Sequence, residues 1–599
     1  MRVYLGVAVK RPGARVPTAV LDLARASIEV AFPVPREAIR PAEWHGTGVS
    51  LLAWTNEPDD TRTPGTLTVD PAGRRAVGVS GYLSAPPDVA RLLRAENLGV
   101  TTDALPGCLA AFRAGEDGEL SAATSITRAC PVFHAETPDL YVVGNRALLV
   151  HLAARGRVEW DVLALEMMVR QGYFLSDETP FLGVTALPPS SSITIRDGRR
   201  TITTFPLPHA RPAPADPKGR KALVEDLADA LLTTVEPLRA ASEPVNLALT
   251  GGRDSRLMAA LLHAARIPFR ATTNGLDDHP DVVIARSIAA ALGIEHTVIP
   301  PKQTEKRDAV MVEHPLLRTH ETLRTCEGMT SAYESIVGYL PYSAKPTMSG
   351  QSGEILRGSG FLLLPTDLSP RGLRRRVDNY FLKTGELFTD AANEHARALA
   401  APWQAMDNGF EALEHMYVAY KVGRWHAAAR AGSLRRGDAV IPFLDAHVVR
   451  PAMTMDHLWR RSEEVVFELI DTFAPELCRI PVDGKPWRFL AEAGEDAPRR
   501  REHRRIPPPL VRPPAKGGWH WRTSPGPELS AVLGGFVLEH ADALAPIVRP
   551  DKLREIFAGP VVKQPSLAWN LYTVAAMLTG LYPGPAPKDL DPVRVPVPV

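Results

Sequence analysis

The sequence predicts an α/β protein in two unlike halves, a layered α+β part followed by a doubly wound parallel sheet. Three observations predict it. Up to about residue 205, short β-like runs alternate with turn residues. A proline-rich break then spans residues 205–220. After it, strand and helix patterns alternate with short joints, the signature of parallel strands linked by crossover helices.

In the first half the spacing predicts strands at 3–9, 75–83, 140–143 and 192–196, with one helix over 162–170. The break reads FPLPHARPAPADPKGR. Proline lacks a backbone N–H and disfavours helix at the residue before it, so 206–220 is expected to be an extended linker between domains 1–205 and 221–599. Residues 221–238 carry Leu223, Val224, Leu227, Leu231, Leu232 and Val235 at helical spacing. A strand follows at 245–249, then a Gly turn and a helix presenting Leu257, Met258, Leu261 and Leu262 on one face. A strand at 269–273 and a helix at 281–292 repeat the unit. No solenoid-type repeat is present.

The chain has 599 residues, 45% apolar and 23% charged, enough to bury a large core. With 69 Lys+Arg against 68 Asp+Glu, the net charge of +1 argues against a nucleic-acid binder held by charge. The four cysteines, Cys108, Cys130, Cys326 and Cys478, form no CxxC pair and no metal-ligand spacing. Scattered thiols, no signal peptide and no long apolar run predict a cytoplasmic protein with no membrane span. Proline reaches 56 residues, and the short basic run at 499–505 reads as a solvated turn or a contact for something acidic.

The stretch that points to chemistry is Leu247-Ala248-Leu249-Thr250-Gly251-Gly252-Arg253-Asp254-Ser255-Arg256, at a strand-to-helix turn. Glycines admit close backbone approach, and a new helix offers free N–H groups and a favourable dipole to an anion. A carboxylate inside such a site makes sense if Asp254 holds Mg²⁺ against phosphate oxygens; its alternative is a helix cap. The stretch fits neither the Walker A loop nor a dinucleotide fingerprint. Thr272, Asn274 and Gly275 end the next strand, where doubly wound sheets bind ligands.

This loop resembles the S-G-G-x-D-S pyrophosphate loop of the ATP pyrophosphatase superfamily, with Thr250 in place of the first Ser and Arg256 in place of a second. Ser349-Gly350-Gln351-Ser352-Gly353-Glu354-Ile355-Leu356-Arg357-Gly358 resembles the second metal loop of asparagine synthetases, with Glu354 where the family has Asp and Gln351 where relatives have Glu or Tyr. Ile441-Pro442-Phe443-Leu444-Asp445, followed by Val448 and Val449, is similar to their P-F-L-D-x-x-x-V signature. Arg512-Pro513-Pro514-Ala515-Lys516-Gly517-Gly518-Trp519 is similar to their basic C-terminal segment. In the first half, Val184-Thr185-Ala186-Leu187-Pro188-Pro189-Ser190 with Ile193-Thr194-Ile195 resembles the close of a glutamine amidotransferase domain. That domain needs a cysteine after the initiator Met. Residue 2 is Arg and the first cysteine is Cys108, so this half is expected to be degenerate, with the amine coming from the substrate itself.

Two amidotransferase-lacking groups of relatives use such an amine, β-lactam synthetases and lasso-peptide cyclases. The run 353–358 and the Tyr417-x-x-Tyr420-Lys421-x-x-Arg424-Trp425 stretch look more like the cyclases. That resemblance implies ATP and Mg²⁺ as cofactors and adenylation of an Asp or Glu side chain in a leader-free core peptide. Attack by the peptide's own amine then closes a macrolactam. It implies metal ligands Asp254 and Glu354. Lys516 joins them as catalytic, stabilising charge on the adenylate. A nucleotide surface is implied at Leu249, Thr250, Gly251, Gly252, Asp254, Ser255, Thr272, Asn274, Gly275, Gly350 and Arg357. Arg253 and Arg357 are read as phosphate contacts or solvated arginines, and Asp445 as structural or catalytic. A leader peptidase and a precursor-recognition protein are the expected partners. A non-catalytic nucleotide-binding scaffold is the alternative of a different class.

Overall fold

A computed structural model describes residues 1–32, 34–58, 65–84, 89–300, 308–336, 342–363, 366–431, 439–492, 506–511, 521–582 and 584–597. Lys516, with all of 512–519, and the basic run 499–505 lie outside the described residues.

The first half builds two antiparallel six-stranded sheets. One contains β1 (Arg2–Val9), β2 (Arg40–Gly46), β3 (Val49–Thr55), β8 (Phe133–Glu136), β9 (Leu140–Gly144) and β10 (Val184–Ala186), in the order β10-β8-β9-β1-β3-β2. The other contains β4 (Thr68–Val69), β5 (Arg75–Leu83), β6 (Gly107–Gly115), β7 (Leu120–Thr124), β11 (Ser191–Arg196) and β12 (Arg199–Thr204), in the order β12-β11-β7-β6-β5-β4. Their facing sides share a core in which Tyr4 stacks on Phe112 with centroids 5.1 Å apart. The four predicted strands fall inside β1, β5, β9 and β11, and the predicted helix forms as Leu165–Gln171, a few residues later than expected.

The expected linker is shorter than its prolines imply. Residues 217–220 are already the first turn of the helix Pro217–Thr234, because Pro217 sits where a missing N–H costs nothing and the Asp216 side chain accepts the Gly219 N–H at 2.7 Å.

The second half is organised on a five-stranded parallel sheet. Its strands are β13 (Val245–Ala248), β14 (Phe269–Asn274), β15 (His296–Ile299), β17 (Thr347–Met348) and β18 (Ala439–Val440), in the order β15-β14-β13-β17-β18. The chain winds outward from β13 through β14 and β15, then returns to the other side of β13 with β17 and β18. The strand order therefore reverses between β13 and β17, where ligands of such sheets bind beyond the carboxyl ends. A separate pair, β16 (Ala309–Val312) with β19 (Val593–Pro596), ties the chain's end to this half.

The halves are joined by buried polar contacts. Tyr82 donates to the Ile441 carbonyl at 3.0 Å, Ser84 to Asp445 at 2.7 Å and the Arg128 Nε to the Ala419 carbonyl at 3.1 Å. Among the described residues, no helix is long and apolar enough to cross a membrane. All four cysteines are buried and free.

Candidate active site

Three strand ends meet at the reversal point. After β13 the chain turns through Thr250, Gly251 and Gly252 into the helix Arg253–Ala264; after β17 it enters the loop 349–352 and a 3-10 turn, Gly353–Arg357. Thr272, Asn274 and Gly275 lie at the end of the neighbouring β14. The residues singled out in the sequence, Lys516 apart, are thus gathered by topology onto one edge.

The first loop is held by its own side chains and by Asp281 from the helix Pro280–Leu292. The Thr250 N–H donates to Ser255 Oγ at 3.1 Å, the Gly252 N–H to Thr250 Oγ1 at 3.2 Å and the Gly251 N–H to Asp281 Oδ1 at 2.7 Å. Leu249 is fully buried, with its N–H on the Thr272 carbonyl, so it forms the floor beneath the loop. Thr250 and Asn274 are exposed at the rim.

Asp254 is not a helix cap. The helix starts at Arg253 with Gly252 as its cap residue, and the Asp254 carboxylate turns instead toward the second loop. Its Oδ2 accepts from Arg357 at 2.7 Å, while its Oδ1 is buried with no hydrogen-bond partner. The same Arg357 lies 3.8 Å from Glu354 and 3.7 Å from Glu463. It neither faces water nor stands alone, since it bridges three carboxylates. Glycine is required where the loops touch. A Cβ at Gly353 would lie 2.3 Å from Asp254 Cγ, and one at Gly350 would lie 2.9 Å from the Asp254 carbonyl carbon. Ser352, between them, adopts a left-handed backbone at φ 70°, strain that fixes the turn.

Burial pushes the Asp254 carboxyl up to about 6, with Glu354 adding to the rise and Arg357 opposing it. The orphaned Oδ1, a buried carboxylate short of positive charge and the second carboxylate beside it fit a hard cation. Mg²⁺ takes one or two protein carboxylates and completes its shell with water and phosphate oxygens. Among the described residues, no group of three or more His, Cys, Asp or Glu side chains could hold a metal without such help.

Glu463 carried no signal in the sequence, and the roles of Arg253, Arg256 and Asp445 are set by what they meet in the fold. Glu463, also left-handed at φ 70°, pairs with Arg253 at 2.8 Å and accepts the Arg488 N–H at 3.2 Å. Arg253 also spans the Trp487 ring at 4.9 Å and donates to the Lys485 and Pro486 carbonyls, so it is a structural clamp. Arg256 is fully buried and donates to the carbonyls of Leu477 and Ile480. Asp445 proves structural, capping the helix Ala446–Thr454 through the His447 N–H while accepting from Ser84.

The stretch of Tyr and Arg residues at 417–425 forms a π-helix, Tyr417–His426, a helix type often found at functional sites. It touches the second loop at both ends. Tyr417 donates to Glu354 Oε2 at 3.1 Å, and His426 Nδ1 lies 2.9 Å from Ser352 Oγ.

Residues 226–465 match the asparagine synthase family. Among solved structures, the chain is similar to the glutamine phosphoribosylpyrophosphate amidotransferase from B. subtilis complexed with ADP and GMP, at 11% identity and a TM-score of 0.24, covering 52% of this chain and 67% of that one. It is also similar to an allosteric regulatory enzyme of purine biosynthesis, at 10% identity and a TM-score of 0.24, covering 58% of this chain and 74% of that one. Likeness that slight carries no argument. No curated protein matches the chain. Both loops and the π-helix lie within residues 226–465, and the match of that domain to the asparagine synthase family supports an ATP-dependent, amide-bond-forming ligase activity in general.

Proposed function

We propose that the chain is a lasso-peptide cyclase, which adenylates an Asp or Glu side chain of a leader-free core peptide and joins it to the peptide's N-terminal amine. The observation that carries this reading is the wiring of the cyclase-like stretch 417–425 into the second loop, through Tyr417 on Glu354 and His426 on Ser352. A second supports it. The two cysteines of the first half, Cys108 and Cys130, are 3% and 2% exposed, so neither presents a thiolate to a glutamine amide, and the amine is left to the substrate.

A free carboxylate is a poor electrophile, and adenylation gives it a leaving group. Asp254 and Glu354 would hold Mg²⁺, which would supply neutralisation of the phosphates. The chain's own part is positioning. The loop at 250–252 leads directly into a helix start, where phosphate oxygens are favoured. Arg357 fixes the two carboxylates at one spacing, and Tyr417 orients Glu354 from the other side. Holding amine and acyl group together supplies on the order of 7–11 kcal/mol of the barrier in well-oriented reactions. Lys516 is proposed to stabilise the charge on the adenylate, and a leader peptidase with a precursor-recognition protein to deliver the peptide.

The test is a mass spectrum of a synthetic leader-free core peptide, with a free amine and an internal acidic side chain, after incubation with the protein, ATP and Mg²⁺. Loss of one water, with AMP formed and Asp254→Ala inactive, is expected. Dehydration of a small β-amino acid instead of the peptide would mark a β-lactam-forming synthetase. Absence of pyrophosphate release with either substrate would leave only a nucleotide-binding scaffold.

A further inference from the structure

Opening an acyl-adenylate with an amine requires a proton acceptor, and the residue at the family's loop position, Gln351, has no titratable group. The groups facing the second loop can be taken in turn. Tyr417 already donates to Glu354, and burial raises its hydroxyl well above 10. His426 is buried against Ser352, and burial lowers it well below its usual value. Arg357 stays charged among its carboxylates.

Lys421 differs from all of these. It lies four residues beyond Tyr417 on the π-helix, so one turn carries it along the face that meets Glu354. Its ammonium sits 3.4 Å from the Trp425 ring centroid and 5.0 Å from that of Tyr173, and no carboxylate pairs with it among the described residues. A lysine flanked by aromatic faces without a counter-ion has a base's environment rather than that of a structural ion pair.

We propose that Lys421 accepts the proton of the attacking amine, an assignment that rests on the ligase reading above. The neutral amine of the peptide attacks the acyl carbon with its lone pair. The carbon–oxygen bond to the phosphate breaks, and AMP leaves with that electron pair. Lys421 takes one proton from the nitrogen and returns it to water. Burial lowers the Lys421 ammonium to about 8, opposed by the charges of Glu334 and Glu354. Tyr173, Trp425 and the neutral His426 complete its surroundings, with Tyr417, Arg357 and Asp254 around Glu354 and Arg522 facing Glu334. A value near neutrality leaves a useful unprotonated fraction at working pH.

The test separates the two half-reactions of the intact protein on the synthetic core peptide. In Lys421→Met, peptide-dependent pyrophosphate exchange is expected to persist, and hydroxylamine, which needs no base, is expected to trap the acyl group as a hydroxamate. Macrolactam formation should fall on the order of 10²–10⁴-fold. Lys421→Arg keeps the charge but cannot act as a base, so it should cyclise no better. Cyclisation at the wild-type rate in either variant overturns the assignment alone, and so does loss of exchange in the methionine variant. A wild-type protein that neither exchanges pyrophosphate nor cyclises overturns the ligase reading, and this assignment with it.

Discussion

Asp254 carries opposite demands. Its carboxyl is raised to about 6 by burial and by Glu354, so between the ordinary value of 3.8 and 6 the folded protein binds a proton the unfolded chain has released. Stability therefore falls as pH rises through that window, and the ionised carboxylate is kept for function at the expense of the fold. Asp254→Asn is expected to keep or raise the thermal midpoint while lowering Mg²⁺-dependent pyrophosphate exchange on the order of 10²–10³-fold, the usual scale for removing one preorganised charge partner. Scanning calorimetry beside the exchange assay checks both. Exchange in the wild type should weaken as pH drops through about 6, because a protonated carboxyl is a poor ligand.

At the scale of elements, the 3-10 turn Gly353–Arg357 is only as firm as the helices behind it. Arg460, fully buried, pairs with Glu414 and donates to the Ile355 carbonyl inside the turn at 3.0 Å. His457 supports Glu414 at 2.9 Å, and Arg461 donates to the Leu362 carbonyl just beyond. Removing one partner of a buried pair strands the other in a dry interior, which costs about 3–5 kcal/mol. Glu414→Gln is expected to destabilise by that order in urea titrations and to loosen the turn. A variant stable to within about 1 kcal/mol of the parent would show the Arg460 cation finding relief elsewhere. These residues were beyond sequence reasoning. Glu414 and Arg460 stand far apart in the chain, match no motif and meet only because two helices cross.

Across the whole molecule, the halves are coupled through His395. It reaches Glu166 at 3.2 Å and Glu178 at 2.8 Å in the first half, and Arg170 completes the cluster on Glu166 at 3.0 Å. Burial works against charging His395, yet the hydrogen bonds to both glutamates outweigh it and raise the ring to about 10. The sign follows directly. With the folded value above the unfolded 6.5, this contribution is fully present below pH 6.5 and is lost as pH rises through about 10. Denaturation midpoints measured from pH 6 to 10 should decline across that interval, and His395→Gln should remove this part of the decline while lowering stability at neutral pH.

The order of strands and helices, the change of architecture at the proline-rich break and the three loops at strand ends were all legible in the sequence. Periodicity and turn chemistry act over a few residues, and the first and second loops bear motif patterns that survive single changes such as Thr250 and Glu354. Helix starts were read less well, as the early turn at Pro217 shows, because an N-cap at Asp216 competes locally with the proline signal. Only the tertiary structure decided what the charged residues do. Arg357 turned out to bridge three carboxylates, Arg253 to clamp Glu463 and Asp445 to cap a helix. Lys421 came to rest between aromatic rings beside the acidic loop. Charge has no periodicity, and a charged group's role is set by neighbours that the reversal of strand order brings within a few ångströms from positions far away in the chain.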